Sequence, residues 1–229
     1  MKHNRQGTGE LSELYLENGL IGGRLLCNRT LIPTAGQYML AYDRTSDAPL
    51  PVPIFNAGIF PGGFVVAPPL PQTWQPGITL SLRGPLGRGF SMPVSARRVA
   101  LAALCETAAR LNPLLVAAME QGASVVLVSN LDLFDLPAEI EIQPLSALAD
   151  VVKWADYLAL DLPRESLTGL REKLGFGDQL KAKLEAQMLV VTSMPCSGMA
   201  ECGVCAVIAR HGWRMTCKDG PVFSLTKLV

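Results

Sequence analysis

Along the first third of the chain, apolar runs are short and broken every few residues by proline or glycine. Between Gly23 and about Arg83, three segments read as strands: Gln37–Tyr42, Gly63–Ala67 and Ile78–Arg83. Pro51, Pro53, Pro61, Pro68, Pro69, Pro71 and Pro76 punctuate them. Ile78–Arg83 alternates apolar and polar residues, the pattern of a strand with one buried face. Frequent strands with frequent breakers predict a small antiparallel β-barrel. Residues 1–18 read as a polar lead-in.

The texture changes at Val99. Ala102–Glu120 is rich in Ala and Leu and reads as a helix, with Pro113 an awkward guest. Ser124–Ser129 is a continuous apolar run, which suits a parallel sheet covered on both faces. Ile140–Ile142 and Tyr157–Leu160 read as further strands, Arg164–Leu174 and Asp178–Ala186 as helices, and Met188–Thr192 as a last buried strand. Alternating strands and helices predict an open α/β layer. No internal repeat or low-complexity segment interrupts the pattern.

Met188–Thr192 runs directly into a cysteine-rich stretch holding Cys196, Cys202, Cys205 and Cys217, spaced C-x5-C-x2-C-x11-C. Two cysteines separated by two residues reach one metal centre from a single tight turn, and the outer two close it from either side. Gly198 and Gly203 let the backbone bend and aim N–H groups at sulfur. Four-cysteine zinc sites usually pair two short Cys-x-x-Cys knuckles, and this chain has one. A [2Fe-2S] cluster takes C-x4-C-x2-C followed by a later cysteine, which this spacing matches with one extra residue in the first gap. The spacing favours iron–sulfur, with zinc and an inert or disulfide-bonded set as the alternatives. Cys27 and Cys105 stand alone on apolar stretches and read as small buried apolar residues.

Composition narrows the class. The chain has 229 residues, 49% of them hydrophobic, enough for one large or two small domains. Lys+Arg and Asp+Glu number 20 each, so there is no electrostatic case for nucleic acid. Met1–Glu10 is polar, and Arg110 and Glu120 interrupt the best apolar candidate for a membrane span. A cytoplasmic location is expected, and in a reducing compartment four close cysteines read as metal ligands. His3 and His211 are the only histidines, and no Ser/His/Asp triad can be read, so no catalytic residue is assigned.

The ending Thr216-Cys217-Lys218-Asp219-Gly220-Pro221-Val222-Phe223 resembles the iron–sulfur module of the dihydroorotate dehydrogenase electron-transfer subunits, a family of ferredoxin-reductase-like flavoproteins. The resemblance implies an α+β, multidomain chain: a flavin-reductase-like β-barrel (1–96), an α/β nicotinamide-binding-like domain (97–192) and a [2Fe-2S] module (193–229). It also covers Leu82-Arg83-Gly84-Pro85-Leu86-Gly87-Arg88-Gly89-Phe90, similar to the family's Gly-Pro-Leu-Gly-x-Gly-Phe turn after a barrel strand. Gly84, Gly87 and Gly89 there let backbone approach either a flavin or the neighbouring domain.

Two family motifs are eroded. The Arg-Pro-x-Ser-x flavin motif aligns with Val52-Pro53-Ile54-Phe55-Asn56, which has lost the cation and the hydroxyl. Arg44 and Arg88 are candidate substitutes, and Tyr42 reads as a barrel-core residue rather than a flavin-stacking one. The glycine-rich phosphate loop aligns with Cys105–Leu114, where every glycine is replaced and Glu106 would repel phosphate. The expectation is that nicotinamide binding in the family manner is lost and that the FAD site is weakened or lost. The implied role is an electron-transfer subunit relaying electrons between a catalytic flavoprotein, by resemblance a dihydroorotate dehydrogenase of pyrimidine biosynthesis, and another redox carrier, in a hetero-oligomer. The alternative is a degenerate paralogue acting as a metal-stabilised binding or assembly module. Lys218 is a candidate docking or charge-offsetting residue, and Trp213 and Met199 read as packing residues around the centre.

Overall fold

The computed structural model describes residues 5–45, 47, 50–133, 136–170, 174, 184–210 and 212–228. Six strands, β1 (Gln6–Glu17), β2 (Leu20–Cys27), β3 (Tyr38–Asp43), β4 (Val52–Phe60), β5 (Gly63–Val66) and β6 (Thr79–Leu86), close a barrel in the order β1-β2-β5-β4-β3-β6, every pair antiparallel. The supposed polar lead-in is therefore largely β1. Its apolar residues Leu11 and Leu14 both belong to the barrel core because a bulge between Leu11 and Glu13 resets the alternation, a break that hides the strand in the sequence. Asn18 and Gly19, both at positive φ, make the tight turn into β2.

The second layer is a six-stranded sheet, order β14-β11-β10-β7-β8-β9. Its strands are β7 (Arg98–Ala103), β8 (Ser124–Val128), β9 (Glu141–Gln143), β10 (Tyr157–Pro163), β11 (Glu185–Val191) and β14 (Val222–Ser224). All neighbours are parallel except the β11–β14 pair. β7 takes the first residues of the segment expected to be one long helix. A short 3-10 turn (Ala109–Leu111) and then α1 (Asn112–Glu120) follow, and Pro113 sits in the first turn of α1, where its missing N–H costs nothing. A 3-10 turn and α2 (Leu148–Trp154), not marked by the sequence pattern, cover the other face with Val151 and Val152. Arg164–Leu167 is a 3-10 turn, and Glu185 and Ala186 belong to β11 rather than to a helix. The rest of the expected helix at 178–186, and residues 171–173 of the one before it, lie outside the described residues.

The remaining elements are the β12 (Ala206–Ala209)–β13 (Gly212–Met215) hairpin, α3 (Thr216–Asp219) and α4 (Leu225–Leu228). β14 lies within the segment expected to form a separate module, yet it is an edge strand of the sheet and buries Val222 and Phe223. One continuous apolar cluster joins barrel, sheet and cysteine segment: Tyr38, Phe55, Leu86, Ala109, Leu189, Cys205, Cys217 and Val222 all belong to it. Among the described residues no helix is long and apolar enough to cross a membrane.

Candidate functional site

The four cysteines follow the carboxyl end of β11. Cys205 and Cys217 are buried, Cys196 is half-buried and Cys202 is exposed. Cys202 neighbours Cys196; Cys205 and Cys196 both neighbour Cys217; and Cys196, Cys205 and Cys217 all lie near the Tyr38 hydroxyl. Among the described residues no three His, Cys, Asp or Glu side chains converge on a single-ion site.

Backbone makes the setting polar for sulfur. Ser197, Gly198, Ala200 and Gly203 all lie at positive φ, which folds residues 196–203 into a tight loop. Ser197 and Ala200 carry side chains there, a strained arrangement held in place by its surroundings. Burial pushes the Cys196 thiol up, but the N–H groups of Glu201, Cys202 and Ala200, with the Cys202 side chain, outweigh it and bring the pKa to about 6. Cys217 is pushed up to about 12, first by burial, then by its hydrogen bond to Cys205 and the charges of Cys205 and Cys196. Four thiolates this close repel one another unless a cationic centre compensates them. The Cys217 N–H points at Cys205 Sγ at 3.5 Å, and the Thr216 N–H donates to the Cys205 carbonyl at 3.0 Å.

The barrel grips both cysteine loops. Arg83 on β6 donates to the Ser197 carbonyl at 2.9 Å, and the buried Tyr38 on β3 donates its hydroxyl to the Cys217 carbonyl at 2.8 Å. A Cβ on Gly198 would lie 2.8 Å from that hydroxyl, so only glycine lets the loop close over Tyr38. From the sheet side, Arg164 donates to the Val204 carbonyl.

The glycine-rich turn meets the chain itself. A Cβ on Gly87 would lie 2.5 Å from Pro221 Cδ and 2.7 Å from the Gly220 carbonyl, and one on Gly89 would lie 2.5 Å from the Ala35 carbonyl. Gly84 packs against Met39 and the Tyr38 backbone. The turn is thus seated on the Cys217–Phe223 segment.

The positions aligned with the eroded flavin and phosphate motifs are filled by side chains. Phe55, in place of the family's hydroxyl, is 5% exposed and lies under the Arg110 guanidinium, whose carbon is 5.7 Å from the ring centroid. Arg110, on the segment in place of the glycine loop, also donates to the Pro68 carbonyl at 3.0 Å and pairs with Asp161 at 3.3 Å. Asp161 is fully buried on β10. Burial pushes its carboxyl up to about 6 against the downward pull of Arg110 and of the Cys105 and Leu104 N–H groups. Among the described residues, Arg110 Nε finds no hydrogen-bond partner. Thr107 on the same segment donates to the Glu17 carboxylate, which reaches over from the tip of the β1–β2 hairpin. An internal ion pair sits near the carboxyl ends of β7 and β10, where the strand order reverses and open α/β sheets usually bind nucleotides.

Several sequence expectations change. Tyr42 is 43% exposed and is not a barrel-core residue, because β3 turns its other face inward. Trp213 and Met199 are 64% and 53% exposed, so neither packs the cysteine site closed. Lys218 is exposed beside Cys217, and Arg88 is exposed with its backbone pinned to Gly220 and Val222. Cys27 and Cys105 are half-buried thiols whose pKa values burial raises. His3 and His211 lie outside the described residues. The sequence reading gives no site role to Tyr38, Arg83, Arg110 or Asp161. Asp161, a lone carboxylate inside the apolar run Tyr157–Leu162, was the legible signal.

No family model matches the chain. Solved structures do. A structure of the NADH-dependent reduced ferredoxin-NADP oxidoreductase, studied for flavin-based electron bifurcation, aligns over 96% of this chain and 89% of its own with a TM-score of 0.75 at 16% identity. The Amycolatopsis cytochrome P450 reductase GcoB aligns over 82% of this chain and 71% of its own, TM-score 0.63, 15% identity. Phthalate dioxygenase reductase, described as a modular structure for electron transfer from pyridine nucleotides to [2Fe-2S], aligns over 82% of this chain and 70% of its own, TM-score 0.57, 8% identity. Likeness at such identities speaks for architecture, and the architecture of this chain is the ferredoxin-reductase-like fold.

Proposed function

We propose that this chain is an electron-transfer subunit in which Cys196, Cys202, Cys205 and Cys217 hold a [2Fe-2S] cluster. The observation that carries the reading is the cysteine neighbourhood at the end of β11, with backbone N–H groups turned toward the Cys196 and Cys205 sulfurs. The C-x5-C-x2-C-x11-C spacing suits a two-metal centre, whereas four-cysteine zinc sites usually pair two short knuckles. A cluster held there takes up and returns one electron at a time. The protein's part is to hold the thiolates with the strained 196–203 loop, to stabilise sulfur charge with N–H donors, and to fix both loops to the barrel through Arg83 and Tyr38. The exposed edge at Cys202 gives a partner access to the centre.

The residues do not fit FAD or a nicotinamide nucleotide in the manner of the resembled family. Phe55 and the Arg110–Asp161 pair stand at the motif positions, and Glu17 already engages Thr107. The flavin therefore belongs to a partner. By the Cys217–Phe223 resemblance that partner is a dihydroorotate dehydrogenase-like catalytic flavoprotein, joined with this chain in a cytoplasmic hetero-oligomer.

Anaerobic purification followed by iron and acid-labile sulfide analysis tests the reading. The expected result is about two irons and two sulfides per chain, with a reducible paramagnetic signal. Zinc in place of iron, or colourless protein free of both, overturns it. Co-purification from the native host identifies the partner, and recovery without any flavoprotein overturns that half.

A further inference from the structure

Beside the cysteine site the structure holds a second concavity. It measures about 380 Å³ and is built from four stretches of chain: the barrel-exit turn, the β12–β13 hairpin, α3 with β14, and α4. Arg88, Arg214 and Lys227 converge on it, and Val222 and Phe223 supply an apolar wall. None of the three cations has an ion-pair partner among the described residues. The carboxylate in the wall, Asp219, accepts the Met215 N–H at 2.9 Å. Three positive groups against one carboxylate leave two positive charges facing one small space. The chain as a whole is balanced, 20 against 20, so this is a local concentration of charge.

We propose that this pocket binds a compact dianion carrying an apolar body, the chemistry of an aromatic phosphate monoester. The volume lies within the range of small-ligand sites. Arginine forks match phosphate oxygens two at a time, and a lysine adds a point charge. A concave floor flanked by Val222 and Phe223 suits a small molecule better than the flat surface of an acidic protein. The Arg88 backbone is pinned to the segment that follows Cys217: its N–H donates to the Gly220 carbonyl at 2.6 Å and its carbonyl accepts from Val222 at 3.3 Å. A ligand on Arg88 therefore stiffens the stretch leading from the last cysteine. The pocket stands whether or not the cysteines hold iron, so its failure and the failure of the electron-transfer reading are separable.

Calorimetric titration of the full chain with phenyl phosphate tests the proposal, with phenol, inorganic phosphate and a poly-glutamate peptide as comparison probes. Phenyl phosphate is expected to bind with a dissociation constant of about 1 mM or tighter, more tightly than inorganic phosphate, with phenol silent. Arg214→Ala with Lys227→Ala, both exposed positions, should weaken it at least about tenfold, whereas Arg29→Ala on the barrel should not. Amide exchange at Val222 should slow with ligand bound. No binding up to about 10 mM, equal affinity in the double variant, or unchanged exchange at Val222 overturns the proposal. Binding by poly-glutamate alone overturns it in favour of an acidic protein partner.

Discussion

The Tyr38 hydroxyl ties the barrel to the backbone of the last cysteine. Tyr38→Phe keeps the ring and loses one buried hydrogen bond, so a stability loss of about 1–2 kcal/mol is expected in denaturant titration, with faster iron loss to a chelator. Asp161 gives a pH signature. Its carboxyl sits higher folded, at about 6, than its ordinary 3.8, so the folded state holds the proton more tightly. This group's contribution to stability is then largest below the ordinary value and falls as pH rises to about 6, levelling off above. Asp161→Asn should remove that slope when the variant is compared with the parent across pH 4–6.5. It also strands the Arg110 charge, and a loss of about 3–5 kcal/mol is expected at neutral pH. A parallel slope in both proteins would show that Asp161 does not titrate in this window.

At the scale of elements, the glycine turn after β6 is seated on the segment after Cys217. Gly87→Ala places a methyl group against Pro221 and the Gly220 carbonyl at a φ of 74°, so a loss of about 1–3 kcal/mol and lowered iron content are expected together. The β12–β13 hairpin behaves differently. Trp213 pairs with Ile208 on its outer face and both are exposed, so Trp213→Ala should move the unfolding midpoint by no more than about 0.5 kcal/mol. Elements with a clear period were legible beforehand: β3, β5, β6 and β8 stand close to where alternation or continuous apolar runs put them. β7 and α1 were merged into one helix because Ala and Leu serve both states and only Pro113 marked the break. β1 was passed over because the bulge between Leu11 and Glu13 breaks its alternation.

For the whole molecule, the order of barrel, sheet and cysteine segment was readable from composition and resemblance. The contacts among them were not, because Arg83 to Ser197 and Tyr38 to Cys217 span 114 and 179 residues and leave no local pattern. The cysteine spacing is local and visible in the sequence. What brings Cys217 beside Cys205 is not, since it depends on where the hairpin places Cys217. The barrel and both faces of the sheet have apolar cores of their own. On the proposed iron–sulfur reading, stripping iron with a chelator should therefore leave secondary structure intact by circular dichroism and unfolding cooperative. Complete collapse on iron removal would mean that the metal, rather than those cores, holds the body together.

The anchoring of both cysteine loops by β3 and β6 has a consequence for engineering. Residues 193–224 form a contiguous stretch that invites grafting onto another redox scaffold. Cut away from Tyr38, Arg83 and the turn at Gly87, that cassette would lose the surface that gives it shape. Transplantation calls for carrying half a barrel along with the four sulfurs.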